Sequence, residues 1–277
     1  MAPLQHILAQ ARSACREALE GLASLAFPAP CRICEATLTT ASRIPVCSTC
    51  LDSLQPLPDT ACQQCGRPFV SPVTAAVPKP LCHLCRRGVY GFDLTRSFAA
   101  YNEPMVRAVV LLKYHAVTPL GGWFAARLAE LIERDPGAFA ADVVVPVPLH
   151  ATRLRERGFN QAELIARPLA KRLGLPLKSY LLVRTKPRPD KLKLTRKERW
   201  RTVRGAYAMR EDTSIDKVRV LLIDDVFTTG ATLDACARVL RRAGASRVVG
   251  LTVARVVPEL LPGWPAAERN FPGGGGV

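Results

Sequence analysis

Two adjacent carboxylates, Asp224 and Asp225, stand between an apolar run, Val220–Ile223, and a turn made of Thr228, Thr229, Gly230, Ala231 and Thr232. Four apolar residues in a row leave no polar face, which predicts a strand buried on both sides in a parallel sheet. The acids then fall at the carboxyl end of that strand, where open α/β sheets bind their ligands. The turn opens a helix, and a helix start offers unpaired N–H groups and the positive end of a dipole to an anion. Carboxylates suit sugar hydroxyls and the helix start suits a phosphate, so the stretch predicts a site for a ribose 5-phosphate.

A second chemistry lies upstream. Eight of the ten cysteines form Cys-x-x-Cys pairs, Cys31/Cys34, Cys47/Cys50, Cys62/Cys65 and Cys82/Cys85, separated by 12, 11 and 16 residues. Each pair presents two sulfurs on one side of a tight turn, and two pairs complete the tetrahedral set that zinc requires. The expected ligand sets are Cys31, Cys34, Cys47, Cys50 and Cys62, Cys65, Cys82, Cys85, with interleaved pairing or a disulfide scaffold as the alternatives. Four thiolates leave no open position, so two structural Zn2+ ions are expected. Binding energy of about 10–16 kcal/mol per site would replace a core that this stretch has few large apolar residues to build.

The formal net charge is +16. From His150 to Arg210, 18 Lys/Arg face 4 Asp/Glu, so that span alone contributes +14. Such concentration points to a polyanionic ligand, either nucleic acid or a phosphate-rich substrate, against the simpler reading of a solvated loop. Val147 and Pro148 close a second apolar strand, and Arg153, Arg155 and Arg157 follow as candidates for pyrophosphate or nucleic-acid contact. No apolar run approaches a membrane span and no secretory pattern opens the chain, so a cytoplasmic protein is expected.

These groups need elements to hold them. Alternating strand and helix patterns from Val89 onward imply βαβ units: a strand or hairpin at 92–101, helices at 104–114 and 121–134, a strand at 142–147 and a helix at 159–173. Strands near 179–184 and 205–209 flank a polar stretch. The acid-bearing strand at 218–224, a helix at 230–243 and a strand at 246–256 complete the domain. The expected organisation is an amphipathic N-terminal helix over 1–27, a metal module over 28–88, the α/β domain over 89–256 and a Pro/Gly-rich disordered tail over 257–277.

Residues 220–232 resemble the phosphoribosyl-pyrophosphate (PRPP) motif of type I phosphoribosyltransferases. That resemblance implies an α/β fold with a parallel sheet and helices on both faces. It implies that Asp224 and Asp225 hold the ribose hydroxyls and that Thr228 to Thr232 wrap the 5′-phosphate, with Val226 and Phe227 beside them. Val147 and Pro148 match the family's pyrophosphate loop. By position, Leu182–Gly205 is similar to the family's catalytic loop, which makes Arg184, Lys186 and Arg199 candidate catalytic residues with Asp224 and Asp225. Mg2+ is expected to accompany PRPP.

The eight-cysteine module, Leu112-Lys113-Tyr114, Val145–Leu149, Arg157–Gln161 and the PRPP motif together resemble the ComF family, from about Pro28 to Val256. The loop departs from the family pattern at Lys191 and Thr202. Members join a small N-terminal double zinc ribbon to a phosphoribosyltransferase-like domain and are linked to DNA uptake in natural competence. The resemblance implies a Mg2+-dependent phosphoribosyltransferase. The alternatives are a non-catalytic nucleic-acid-binding competence factor, with single-stranded DNA as partner, and a zinc module that only mediates protein–protein contact, with a helicase-like protein as partner.

Overall fold

The computed structural model describes residues 29–38, 42–69, 79–187, 195–210 and 215–257. The N-terminal helix expected over 1–27 and the tail from 258 onward lie outside the described residues, as do Arg188–Leu194 of the basic loop. Two short helices, α1 (Ser48–Asp52) and α2 (His83–Arg86), belong to the cysteine module. The α/β domain follows as β1 (Leu94–Ala100), α3 (Glu103–Tyr114), α4 (Pro119–Arg134), β2 (Val143–Pro146), α5 (Ala151–Arg157) and α6 (Gln161–Leu173). Then come β3 (Leu182–Arg184), α7 (Arg196–Val203), β4 (Tyr207–Met209), β5 (Arg219–Phe227), α8 (Ala231–Arg242) and β6 (Arg247–Arg255). Among the described residues, no helix is long and apolar enough to cross a membrane.

Four strands form a parallel sheet in the order β1-β6-β5-β2. Val220 to Ile223 are at most 1% exposed because both faces of β5 are covered. On one face, Leu221 and Ile223 join a core with Met105 and Leu112 of α3, Phe124 and Leu128 of α4, and Ile165 and Leu169 of α6. On the other, Val220 and Leu222 pack with Leu233, Ala237 and Leu240 of α8. Each large side chain so buried contributes about 1.5–3 kcal/mol. Helices α4 and α6 approach closely because Gly121 leaves room: a Cβ there would stand 2.5 Å from the Leu164 carbonyl oxygen.

Three expectations need correction. The acid-bearing strand runs on to Phe227, beyond the expected end at 224, because β6 continues beside it and pairs Asp224 with Thr252 and Phe227 with Arg255. The segments expected as strands near 179–184 and 205–209 shorten to β3 and β4, which pair antiparallel in a separate two-stranded sheet. The stretch between the expected strand at 142–147 and helix at 159–173, for which no element was expected, folds into α5, which His150 caps through Nδ1 and Gly158 ends with a φ of 79°. Two backbone needs explain that last element: an acceptor before the first turn and a left-handed residue after the last.

The cysteine module covers the sheet edge that β1 would otherwise expose. Leu57 N donates to the Phe98 carbonyl at 2.8 Å and Thr95 N to the Gln64 carbonyl at 2.7 Å. An uncovered edge strand is a template for aggregation, so this packing protects the sheet as well as anchoring the module.

Candidate functional site

The turn after β5 is built around Gly230. Its φ of 79° lies in the left-handed region, and a Cβ would fall 2.6 Å from Phe227 Cζ and 2.7 Å from Tyr90 Cε1. Glycine is therefore required twice, for conformation and for room. Gly230 occupies the N-cap position of α8 without a side-chain cap, leaving Thr228, Thr229 and Thr232 half-buried around the helix start. The Tyr90 hydroxyl donates to the Thr229 carbonyl at 3.0 Å, and burial pushes its pKa up to about 12, so it remains a donor. Ala231 and Phe227 are buried in the core under the turn, and Val226 is half-buried.

The carboxylates lie just before this turn and are at most 8% exposed. Side chains alternate along a strand. Asp225 thus shares its face with Ile223 and meets Lys113 Nζ of α3 at 2.7 Å. Burial alone would pull the Lys113 ammonium down, but the Asp225 charge and hydrogen bond outweigh it and hold the pKa above its ordinary value. Asp224 turns toward α8, where burial and then its own charge push the Cys236 thiol upward. Asp224 Oδ1 also accepts from the Asp225 N–H at 2.9 Å.

Pairing of β2 with β5 stops at the prolines. Val147 N still donates to the Ile223 carbonyl at 2.8 Å, but Pro148 has no N–H with which to continue the ladder. Asn160 fixes this strand end, giving Nδ2 to the Val147 carbonyl at 3.0 Å while Oδ1 caps α6 at Ala162 N. Of the arginines that follow, Arg157 reaches Gln161 Oε1 at 2.5 Å and lies over the Tyr114 ring. Arg153 pairs loosely with Glu156 at 3.7 Å, and Arg155 is exposed.

The basic loop has described residues at both ends. Arg184 Nη1 donates to the Tyr207 hydroxyl at 2.9 Å, and Lys186 Nζ donates to the Arg204 carbonyl at 3.2 Å, so both are held against β4 and the end of α7. Thr195 and Glu198 close a reciprocal cap on α7. From that helix Arg199 lies near enough to Tyr101 for its charge to oppose the burial that raises the phenol. Arg196 hydrogen-bonds Tyr90, and the Trp200 ring stacks on Tyr90 at 6.1 Å. Sequence reasoning missed Lys113, Tyr90, Asn160 and Arg196 as site residues. Of these, Lys113 and Asn160 left a signal, as members of the Leu112–Tyr114 and Arg157–Gln161 stretches that carry the family resemblance, and Tyr90 and Arg196 left none.

The eight cysteines assemble as the expected two groups, with the ligand atoms of each within 4.8 Å of one another. Sulfur separations of 3.9 Å for Cys31–Cys50, 3.7 Å for Cys34–Cys47 and 3.6 Å for Cys65–Cys82 match the edge of a tetrahedron, about 3.8 Å, around a metal with 2.3 Å bonds. A disulfide would need sulfurs about 2.05 Å apart. Backbone N–H groups of Cys47 and Cys82 point at Cys31 and Cys62 sulfurs, as suits thiolates. The groups differ in exposure: the second is buried throughout, whereas Cys34 of the first is exposed.

Comparison with known proteins agrees with both halves. Residues 22–86 match the double zinc ribbon domain family. The Salmonella typhimurium DNA utilization protein YhgH is 29% identical over 81% of this chain and 96% of its own. Haemophilus influenzae competence protein F is 26% identical over 60% of this chain and 75% of its own. Among solved structures, adenine phosphoribosyltransferase from Thermoanaerobacter pseudethanolicus aligns over 52% of this chain and 83% of its own, at 14% identity and a TM-score of 0.31, too loose a likeness to bear on function. Bacillus subtilis competence protein ComFC is 30% identical over 76% of this chain and 84% of its own, and on that likeness the chain belongs to the ComF family.

Proposed function

We propose that the protein binds PRPP with Mg2+ and transfers its phosphoribosyl group with release of pyrophosphate, in the service of DNA uptake. The observation behind this reading is the juxtaposition, at one end of the sheet, of the buried Asp224/Asp225 pair, the Gly230 turn and the proline-ended strand β2. In this reading Asp224 and Asp225 hold the ribose hydroxyls, with Lys113 orienting Asp225. Thr228, Thr229 and Thr232, with the amides of α8, hold the 5′-phosphate. Val147 and Pro148 face the diphosphate, and Arg199 of α7 joins them as charge develops on the leaving group. Mg2+ supplies charge neutralisation on the pyrophosphate, and the two carboxylates are hard oxygen donors that suit it. The link to DNA use and competence follows the names of the relatives, and uptake is what the family resemblance implies. The test is pyrophosphate release from PRPP across a panel of base, amine and nucleotide acceptors. Release with an acceptor supports transfer; no release with any of them would remove the enzyme reading.

The cysteine groups are proposed to hold one structural Zn2+ each. Because Cys34 is exposed and the second group is buried, chelator competition is expected to release zinc in two phases. The first equivalent should leave well before the second. A single phase comprising both equivalents would contradict the difference in burial.

One feature favours a nucleic-acid role beside this one. A cleft of about 750 Å³ between α7, β4 and α8 is lined by Lys197, Arg201, Arg204, Arg238 and Arg242 with Trp200 among them, opposed by Asp234. Cations with an aromatic ring suit a single strand. If roughly four phosphates are met, affinity for an oligonucleotide should fall about fiftyfold between about 50 and 200 mM salt. Affinity that ignores salt would remove this reading.

A further inference from the structure

The second ribbon does more than cap the sheet edge, because its exit segment is fastened to the turn that opens α8. Val89, the first residue after that ribbon, receives Arg238 Nη2 on its carbonyl at 2.8 Å. Gly91 N donates to Asp234 Oδ1 at 2.6 Å, and Asp234 is itself buried on α8. Between these two bonds, Tyr90 sends its hydroxyl to the Thr229 carbonyl and its ring against Gly230. A second connection runs through Arg255 at the end of β6. This arginine is 5% exposed, donates to the Cys65 carbonyl at 2.5 Å and lies 4.1 Å over the ring of Phe227. Phe227 in turn is the other ring that bounds Gly230.

The first ribbon has different attachments. Its Ile33 carbonyl accepts from Arg107 Nη1 of α3 at 2.6 Å, and Cys31 and Cys50 pack in the core on the α3 face of the sheet. The two four-cysteine groups are therefore anchored to opposite faces, and the second is the one bonded to the turn.

We propose that Tyr90 and Arg255 are positioning residues through which the folded second ribbon holds the Thr228–Gly230 turn in its ligand-ready conformation. The assignment rests on the PRPP reading for the identity of the ligand, not for the mechanical connection. Tyr90→Phe keeps the ring against Gly230 and deletes only the bond to Thr229. Arg255→Met deletes the link from Cys65 to Phe227. Arg107→Met loosens the first ribbon and serves as the control.

The test is amide hydrogen exchange of the segment 226–234 in full-length, zinc-loaded protein without ligand, beside calorimetry with PRPP and Mg2+. Zinc content should stay at two per chain in every variant. Exchange in the segment is expected to quicken on the order of fivefold in Tyr90→Phe, the worth of one lost hydrogen bond, and likewise in Arg255→Met, while Arg107→Met matches the parent. PRPP affinity should fall by a similar factor in the first two variants. Unchanged exchange in both, or equal quickening in Arg107→Met, would overturn the proposal. Quickened exchange in Tyr90→Phe and Arg255→Met, with a parent that binds no PRPP, would leave the positioning role standing and remove the ligand assignment instead.

Discussion

Replacing Lys113 with methionine is expected to destabilise the protein by about 3–5 kcal/mol, because it leaves a buried carboxylate without its counter-charge. Asp225 is 5% exposed and Lys113 Nζ stands 2.7 Å from it, so water cannot readily take the ammonium's place. For a domain of this size the loss corresponds to a melting-temperature fall on the order of 10 °C. Methionine keeps most of the lysine's volume, which separates the charge effect from packing. The double change Lys113→Met/Asp225→Leu removes both charges and should recover most of the stability. It should not recover PRPP binding, since the carboxylate assigned to the ribose is gone. Thermal unfolding of the single and double variants checks this, and a single variant as stable as the parent would show that the pair is not desolvated.

Gly230→Ala should be as damaging, for a different reason. A left-handed φ costs a non-glycine residue about 1–2 kcal/mol, and forcing a methyl against two rings costs about 1–3 more. The Cβ would approach Phe227 Cζ at 2.6 Å and Tyr90 Cε1 at 2.7 Å, and neither ring is free to retreat. Tyr90 stacks on Phe92 at 4.7 Å, and Phe227 lies under Arg255. The expected result is a loss of about 2–5 kcal/mol together with loss of anion binding at the turn. Adding Phe227→Ala should relieve part of the steric cost and none of the conformational cost. A Gly230→Ala protein with parental stability and ligand affinity would contradict the geometry of the turn.

The parts legible in the sequence were those whose chemistry is local. Val220–Ile223 reads as a buried strand because burial on both faces demands an unbroken apolar run, and Gly230 reads as a special turn because few residues tolerate its φ. The cysteine grouping was legible because thiolate pairs close together in sequence can meet without knowledge of the rest of the fold. The extension of β5 to Phe227 was hidden, since acids and an aromatic residue carry no strand signal once the apolar run ends. That extension depends on β6 lying alongside. The antiparallel pairing of β3 with β4 was hidden for the same reason: three-residue strands have too little pattern to name their partners. Lys113 lies 112 residues from Asp225, and Tyr90 lies 139 from Thr229, so no spacing rule could join them. His150 as the cap of α5 was equally unreadable, because imidazole is an unusual N-cap and the helix buries no side chain.

The β5–α8 turn and its two acids are proposed to form a PRPP site. Isothermal calorimetry of PRPP with Mg2+, on the parent and on the Asp224→Asn/Asp225→Asn variant, measures it. Saturable binding at one site per chain by the parent, absent in the variant at unchanged zinc content and secondary structure, is the predicted result. Failure of the parent to bind, or binding that survives loss of both carboxylates, would contradict it.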